Sequence, residues 1–144
     1  MRGTQTVATE TSPDFDLGPL SWVQGEIDQA LSRGLTSLAA FRVDPNDGTS
    51  LKHARSHVHQ AAGAIQMVGL DAVVAYTDEL ERQLARLEEL PPDDLPAACD
   101  LIERACHKLK IFLDELVNGA PPVPLKLYPE YEAMQGARGI KAVA

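Results

Sequence analysis

The sequence predicts an all-α protein, an up-and-down antiparallel four-helix bundle followed by a proline-rich C-terminal segment and a short extra helix. The chain has 144 residues, which is enough for one domain with a single core. Hydrophobic residues make up 44 % of it and aromatic residues only 5 %, so aliphatic side chains must build the core, as they do between packed helices. Apolar residues also recur at steps of three and four in four successive segments, which is the period of amphipathic helices.

The first predicted helix follows a leader, residues 1–16, that is rich in Thr and Ser and has no apolar periodicity. We expect this leader to be disordered. From residue 20 to residue 41, apolar side chains form one stripe over about six helical turns, in which Trp22 and Phe41 are interpreted as core anchors. The turn formers of residues 44–48 end this helix.

The second and third predicted helices occupy the middle of the chain. The second spans about residues 50–68, and we expect Thr49 or Ser50 to cap it by accepting hydrogen bonds from its free backbone N–H groups. The third spans about residues 73–87 and ends before the proline pair at residues 91–92.

The fourth predicted helix begins with Asp94 as its cap and Pro96 in its first turn, where a missing N–H costs nothing. It ends at Gly119. Because the connections between the four helices are short, consecutive helices must run antiparallel. We therefore expect residues 17–119 to form the bundle and residues 120–144 to form a proline-rich docking segment, a short helix and a tail.

The proline-rich segment is expected to run as extended chain, because its prolines forbid a regular helix. Its Leu and Tyr side chains are expected to dock this extended chain against the bundle. A short helix from Pro129 to about Gly136 is expected to follow it.

The charge and hydropathy of the chain exclude several functions. Lys and Arg total 13 against 21 Asp and Glu, for a net charge of −8, and such a chain repels nucleic acid backbones. No apolar run approaches the ~18 residues of a membrane span, and the N-terminus lacks the order of a signal peptide. No glycine-rich phosphate loop is present, so we expect no ATP binding by this chain and no cofactor. The sequence thus predicts a soluble cytoplasmic protein without nucleic acid or membrane partners.

The cysteines and two of the histidines are not expected to form a disulfide or a metal site. Cys99 and Cys106 are seven residues apart on one predicted helix, hence about 10 Å apart, which is too far for a disulfide. We interpret them as buried free thiols. His53 and His57 have the i, i+4 spacing of a metal-binding pair, but no third ligand accompanies them, so no metal site is predicted.

The second predicted helix holds three of the four histidines and is the place where chemistry is expected. His59 lies roughly 110° from the centre of the apolar face at ~100° per residue, so its ring is expected to face water. One outward stripe of this helix holds Lys52, Arg55, His59, Gly63 and Gln66. An ordinary surface histidine among solubilising charges would give the same pattern.

A glycine in the interior of this helix is a second signal. Gly63 costs ~1 kcal/mol relative to Ala, and nothing local requires it, which indicates that a partner needs the space. Residues 48–70 also contain no Asp or Glu, although the chain is acidic. This helix therefore forms a basic island that would attract an acidic or phosphorylated partner.

The residues around His59 resemble a known family. Residues 59–70, HQAAGAIQMVGL, resemble the phosphoacceptor segment of histidine phosphotransfer (Hpt) domains, in which His-x-x-Lys-Gly precedes small and apolar residues. LSWVQGE at residues 20–26, LVNGAP at 116–121 and LKLYPEY at 125–131 are similar to the N-terminal domain of CheA-like kinases of type IV pilus chemosensory systems. The resemblance covers roughly residues 17–139.

The resemblance implies roles for three residues. His59 is implied to be the phosphorylated imidazole, and Gly63 the residue that lets a response regulator approach. Glu81, on the third predicted helix, falls where CheA-type domains place a carboxylate that hydrogen-bonds the other ring nitrogen. Such a carboxylate fixes the tautomer and leaves the lone pair of the distal nitrogen outward. Without that role, Glu81 is a solvated charge on a helix face.

The charge around the predicted phosphoacceptor differs from the family pattern. Ala62 stands where the family usually has a lysine, which fits a site that accepts phosphate slowly or one kept only for docking. Arg55 and Lys52 are the cations that could offset the charge of a phosphoryl group. The predicted partner-binding residues are Lys52, Arg55, Ala62, Gly63 and Gln66.

Two functions follow as hypotheses. In the first, His59 is a phosphotransfer intermediate that accepts a phosphoryl group from the ATP-binding domain of a histidine kinase, or from an aspartyl phosphate, and passes it to an aspartate of a response-regulator receiver domain. In the second, the chain is a degenerate, non-phosphorylated scaffold whose second helix binds signalling or pilus partners. A monomer is expected because one bundle uses all the apolar stripes. The tail at residues 139–144 fits the expectation that this chain is one piece of a multidomain kinase.

Overall fold

The computed structural model describes residues 17–140, which form five α-helices and two short 3-10 helices and contain no β-strand. The α-helices are α1 (Leu17–Val43), α2 (Gly48–Met67), α3 (Asp71–Arg86), α4 (Leu95–Val117) and α5 (Tyr128–Ala137). The 3-10 helices are Pro92–Asp94, before α4, and Pro124–Leu127, before α5. The all-α prediction is confirmed. The leader predicted at residues 1–16 and the end of the tail, residues 141–144, lie outside the described residues.

The first four helices form the predicted bundle. Each packs against the helix before it, and α4 also packs against α1, so the four close into a ring. The connections from α1 to α2 and from α2 to α3 are only a few residues long, which requires antiparallel neighbours. Within residues 17–140, no helix is long and apolar enough to span a membrane.

The apolar stripes read from the sequence are the surfaces that build the core. In α2 the buried residues recur at helical spacing, and they are Leu51, Ala54, Val58, Ala61, Ala62 and Ile65. In α1 the stripe passes through Gly34, where a Cβ atom would lie 3.2 Å from Val58 Cγ2 and 3.6 Å from the Ala54 carbonyl oxygen. The missing side chain at Gly34 therefore lets α1 and α2 approach closely.

One of the two aromatic residues assigned to the core of α1 lies elsewhere. Phe41 is buried as predicted, but Trp22 is 88 % exposed, so its prediction as a core anchor is wrong. Leu20 and Ile27 set the inward direction of α1 and are both buried. Trp22 is two residues after Leu20 and hence about 200° around the helix from it, on the side that faces solvent.

The cap of α2 also differs from the prediction. Asp47 is the N-cap, and its Oδ1 accepts hydrogen bonds from the backbone N–H groups of Thr49 at 3.1 Å and Ser50 at 3.2 Å. The hydroxyl of Ser50 donates to Asp47 Oδ2 at 2.7 Å, and these bonds, led by those from Ser50, lower the pKa of Asp47. Thr49 and Ser50 lie inside the helix, which begins at Gly48, because the Asp47 carboxylate reaches both N–H groups at once.

The start of α4 is partly as predicted. Pro96 lies in the first turn, where its missing N–H is tolerated. Asp94 occupies the N-cap position but makes no capping hydrogen bond with its side chain, so its predicted role as a cap is wrong. The reason is that Asp94 already ends the 3-10 helix Pro92–Asp94, whose backbone runs directly into α4 with helical geometry.

The C-terminal segment adds a fifth helix to the core. The predicted short helix is present as α5, which packs against α3 and α4. Leu127 and Met134 are buried in the core, whereas Leu125 is exposed. The residues before α5 form a 3-10 helix rather than only extended chain, because Pro124 fixes a φ angle that suits a helical first turn.

Both cysteines are buried free thiols, as predicted. Burial raises the pKa of the Cys99 thiol and raises that of Cys106 to about 12. A thiol in such surroundings stays protonated near neutral pH and is a poor nucleophile. We therefore assign the cysteines to packing in α4.

Candidate functional site

The outward stripe predicted on α2 is exposed in the structure. Lys52, Arg55, Gly63 and Gln66 are all exposed, and the side chain of His59 is 78 % exposed. The position of His59 follows from the helix period, because the neighbouring apolar residues of α2 face the core. Ala62 differs from the rest of the predicted partner-binding set, since it is only 8 % exposed and lies on the core side of the helix.

Glu81 contacts the imidazole of His59. Glu81 projects from α3, which packs beside α2, and its Oε2 lies 3.0 Å from His59 Nδ1. Because a carboxylate accepts hydrogen bonds, this contact places the hydrogen of the neutral ring on Nδ1. Nε2 then carries the lone pair, and the exposure of the ring leaves it open to a partner.

A groove of about 380 Å³ runs beside this histidine. Its walls are Lys52, Arg55, Ser56, His59 and Glu81. The groove therefore brings together four of the residues predicted from sequence and adds Ser56, whose hydroxyl can donate to an anion. The spacing of Ser56, one turn before His59, was visible in the sequence, but a serine on a helix surface carries no signal by itself.

The two cations of the groove differ in their ion pairing. Arg55 Nη1 donates to Glu88 Oε1 at 2.9 Å, across from α2 to the turn that follows α3. Lys52 has no ion-pair partner among residues 17–140. Sequence reasoning missed this role of Glu88, because its partner is 33 residues away along the chain. One free and one paired cation therefore line the groove.

The surface of α2 beyond the histidine is open and then becomes apolar. A Cβ atom at Gly63 would meet no atom of the described residues within 4 Å. Met67, one turn further on, is 85 % exposed and lies beside Trp22 of α1. Together with Pro19, Val23 and Val68 these two residues line a shallow groove of about 470 Å³. We call the exposed pair Trp22 and Met67 the apolar patch.

The described residues offer no metal site. Among residues 17–140, no group of three or more His, Cys, Asp or Glu side chains is arranged to hold a metal ion. The chemistry available at the groove is therefore that of the imidazole, the carboxylate, the hydroxyl and the two cations described above.

The fold and the site together define a helical-bundle protein with a carboxylate-paired imidazole on its outer surface. Among residues 17–140, the ring borders an open groove. The chain belongs to the Hpt domain family, whose model matches residues 23–119. Hpt domains act in histidine phosphotransfer in phosphorelay signalling, and they interact with response regulators and kinases.

The family match covers most of α1 and all of α2, α3 and α4, and it ends before α5. Neither the search of curated proteins nor the search of solved structures returned a match to the chain.

Proposed function

We propose that His59 is the phosphoacceptor of this Hpt domain and that it passes the phosphoryl group to an aspartate of a response-regulator receiver domain. The observation that carries the proposal is the 3.0 Å contact from His59 Nδ1 to Glu81 Oε2 on a ring that is 78 % exposed. This arrangement leaves Nε2 as an oriented nucleophile on the surface.

The transfer uses the lone pair of Nε2. Nε2 attacks the phosphorus of the donor, an N–P bond forms, and the bond from phosphorus to the leaving oxygen breaks with its electron pair on that oxygen. The Nδ1 hydrogen stays on the ring, and the positive charge that the ring gains lies against the Glu81 carboxylate. In the second step a carboxylate oxygen of the receiver attacks phosphorus, and the N–P electron pair returns to Nε2.

Lys52 and Arg55 supply positive charge to this transfer. Both line the groove that also holds His59, so they lie on the side where the phosphoryl oxygens would be. They take the place of the lysine that is usual three residues after the histidine, where this chain has the mostly buried Ala62. Ser56 adds a hydroxyl donor in the same groove. Charge-assisted hydrogen bonds of this kind favour a phosphoryl group over water.

The receiver is proposed to dock on the open part of α2. Gly63 and Gln66 continue the exposed face from His59, and Gly63 leaves free space above the helix. The apolar patch of Trp22 and Met67 lies beyond them, ~12 Å from His59 at 1.5 Å per residue along α2. A large exposed aromatic side chain at the edge of a polar site is typical of a protein interface.

The setting of the domain is part of this proposal. The resemblance of residues 20–26, 116–121 and 125–131 to CheA-like kinases of type IV pilus systems supports a cytoplasmic chemosensory relay. There the phosphoryl donor is the ATP-binding domain of the kinase. We propose that residues 17–119 form the phosphotransfer unit, that residues 120–144 are a proline-rich docking segment, a short helix and a tail, and that the domain is a monomer.

The test is phosphorylation of the purified chain by potassium phosphoramidate, a small donor that phosphorylates imidazoles without a kinase. We expect a mass gain of one phosphoryl group that is lost in acid and kept in base. Receiver domains and kinase cores from the source genome are then supplied, and at least one receiver should remove the group. No phosphorylation by phosphoramidate or by any of these kinase cores would overturn the proposal.

A second candidate function rests on Ala62. Because the usual lysine is absent, the domain could serve as a scaffold that binds signalling or pilus partners without phosphate chemistry. The two candidates differ in two results. The scaffold acquires no acid-labile phosphoryl group from a kinase core with ATP, and it binds a receiver equally well before and after that treatment.

Glu81→Gln is expected to slow phosphorylation by phosphoramidate by about 10–100-fold, the usual effect of losing a carboxylate that orients a histidine. A glutamine amide can turn its NH₂ group toward Nδ1, which favours the tautomer with hydrogen on Nε2 and removes the nucleophilic lone pair. The rate of phosphoryl incorporation is measured by mass spectrometry. Asp78→Asn, an exposed substitution on the same helix, is the control and should react like the wild type. Equal rates for all three proteins would exclude Glu81 from the site.

Trp22→Ala is expected to weaken receiver binding roughly 30-fold, because buried tryptophan contacts at interfaces are worth about 2 kcal/mol. The exposure of Trp22 means that the fold loses little packing. Isothermal titration calorimetry with the receiver that accepts the phosphoryl group fastest gives the Kd. Ile111→Ala removes an exposed apolar side chain from α4 and should leave the Kd unchanged. If the two variants bind alike, the apolar patch does not belong to the docking surface.

A further inference from the structure

A buried ion pair joins α3 to the chain that follows α5. Glu79 of α3 is fully buried, and Arg138, directly after α5, donates to both of its carboxylate oxygens, from Nε to Oε2 at 2.6 Å and from Nη2 to Oε1 at 2.7 Å. Burial opposes ionisation of Glu79, but the hydrogen bonds from Arg138 and Gln83 outweigh it and lower its pKa. Glu79 is thus held as a carboxylate inside the protein.

Gln83 extends this ion pair into a network. Its side-chain Nε2 donates to Glu79 Oε2 at 2.9 Å and to the Met134 carbonyl oxygen of α5 at 2.7 Å. Gln83 is buried, and its Oε1 accepts from Arg86 at 2.9 Å. Glu79, Gln83 and Arg138 therefore form a clamp that ties the C-terminal half of α3 to α5. We use "the clamp" for these three residues.

The clamp and the phosphoacceptor site lie on opposite sides of the same helix. Glu79 and Glu81 are two residues apart, so their side chains point about 200° apart around α3. Glu79 faces Arg138 near α5, and Glu81 faces His59 of α2. Any rotation of α3 about its axis that moves Glu79 must therefore move Glu81 as well.

The clamp is the polar part of the contacts that hold α3. The buried side chains of Leu80 and Leu84 pack its C-terminal half into the core. The N-terminal half of α3 is anchored by the Tyr76 hydroxyl, which donates to the Ala105 carbonyl oxygen of α4 at 2.8 Å. In the half that carries Glu81, the polar contacts toward the C-terminal helix are those of the clamp.

We propose that Arg138 and Glu79 are positioning residues, which fix the rotation of α3 and thereby hold Glu81 at hydrogen-bonding distance from His59. The functional meaning of this inference rests on the proposed phosphoacceptor role of His59. Without Arg138, the buried Glu79 carboxylate loses its bidentate partner, so either α3 turns the carboxylate toward water or the carboxylate binds a proton. Under this proposal Arg138, which lies beyond the family match that ends at residue 119, contributes to the geometry of the phosphoacceptor site.

The test measures the tautomer of His59 in protein labelled with ¹⁵N-histidine, at a pH about two units above the usual imidazole pKa of about 6.5. In the wild type, the ring nitrogen shifts should show hydrogen on Nδ1. Arg138→Gln should shift the ring toward a mixture of tautomers, as Glu81→Gln does, and slow phosphorylation by phosphoramidate about tenfold, the lower end of such positioning effects. Arg138→Lys keeps the charge and should recover most of the wild-type pattern.

A matched control is available on the far side of the bundle. Arg42 joins α1 to α4 through Asp100 at 2.8 Å and Glu103 at 2.9 Å, so Arg42→Gln removes an arginine that also makes two carboxylate contacts, at a more exposed place away from α3. This variant should leave the His59 tautomer unchanged. A folded Arg138→Gln protein with the wild-type tautomer would overturn the inference.

A double variant covers the case in which Arg138→Gln does not fold. Glu79→Gln with Arg138→Gln removes both charges, so no charge is left buried alone, but two amides cannot reproduce the bidentate pair. It should also show mixed tautomers, and a wild-type pattern in it would overturn the inference.

The readouts separate this inference from the proposed function. A tautomer change in a chain that phosphoramidate never phosphorylates would support the clamp and refute the relay. Normal phosphorylation with an unmoved tautomer would refute the clamp alone.

Discussion

Replacing His59 by Gln is expected to reduce phosphorylation of the chain by a kinase core with ATP to background, and to remove the fastest-reacting imidazole when the donor is phosphoramidate. The variant keeps the size and polarity of the side chain but has no nitrogen lone pair that can attack phosphorus. Because the ring is 78 % exposed, the substitution should change the free energy of unfolding by no more than about 0.5 kcal/mol. Loss of phosphorylation therefore reports loss of the nucleophile and not loss of the fold.

The other histidines provide matched controls for this experiment. His53→Gln changes an exposed histidine on the same helix, outside the groove, and His107→Gln changes an exposed histidine on α4. Both should acquire the phosphoryl group at the wild-type rate. Phosphoryl incorporation from the kinase core that persists in His59→Gln, or disappears in His53→Gln, would assign the phosphoacceptor to another residue.

The same variant separates the two candidate functions. In a phosphorelay, His59→Gln should still bind the receiver through Gly63, Gln66 and the apolar patch, but it should transfer nothing. In a scaffold, the wild type and the variant should behave identically in every assay. The result that decides between the two functions comes from the wild type. In a phosphorelay, the phosphorylated wild type must lose its phosphoryl group when the receiver is added.

The exposure of His59 was predictable from sequence, because the helix period fixes which side of α2 each residue faces once the apolar stripe is known. The burial of Leu51, Val58 and Ile65 in α2 leaves the histidine no other direction. The same reasoning should have placed Trp22 outside, since it lies on the opposite side of α1 from Leu20. At Trp22 the helix period, and not the general preference of large apolar side chains for protein interiors, decides the direction of the side chain.

The pairing of Arg138 with Glu79 could not be predicted from sequence. Arg138 and Glu79 are 59 residues apart, and a glutamate in a charged helix gives no sign that it is buried. One weak signal of this burial is present in the sequence. Glu79 and Gln83 are polar residues at i, i+4 spacing, and both lie on a side of α3 that faces the protein interior, where apolar residues are the rule. The prediction of the residue that caps α2 was wrong for a local reason. Asp47, Thr49 and Ser50 are all good N-cap residue types, and only the backbone geometry decides which of them caps the helix.

The second large effect is expected from Gly63→Arg, which should slow transfer to the receiver by about 100-fold or more while leaving phosphorylation by phosphoramidate unchanged. For transfer, a receiver oxygen must come within about 3–3.5 Å of the phosphorus, and a misplacement of about 1 Å can cost about 100-fold in rate. Gly63 is one turn from His59, and the space above it is open among the described residues. An arginine there projects into the path of the receiver.

The matched controls for Gly63→Arg separate bulk, charge and helix effects. Gly136→Arg places the same side chain at another open helical glycine, on α5, and should transfer normally. Gly63→Gln has bulk without charge, so it should slow transfer if steric exclusion is the cause. Replacing glycine inside a helix also gains up to about 1 kcal/mol in helix propensity, so neither arginine variant should melt below the wild type. Wild-type transfer by Gly63→Arg would mean that the receiver approaches His59 from another side, and the docking surface on α2 would have to be abandoned.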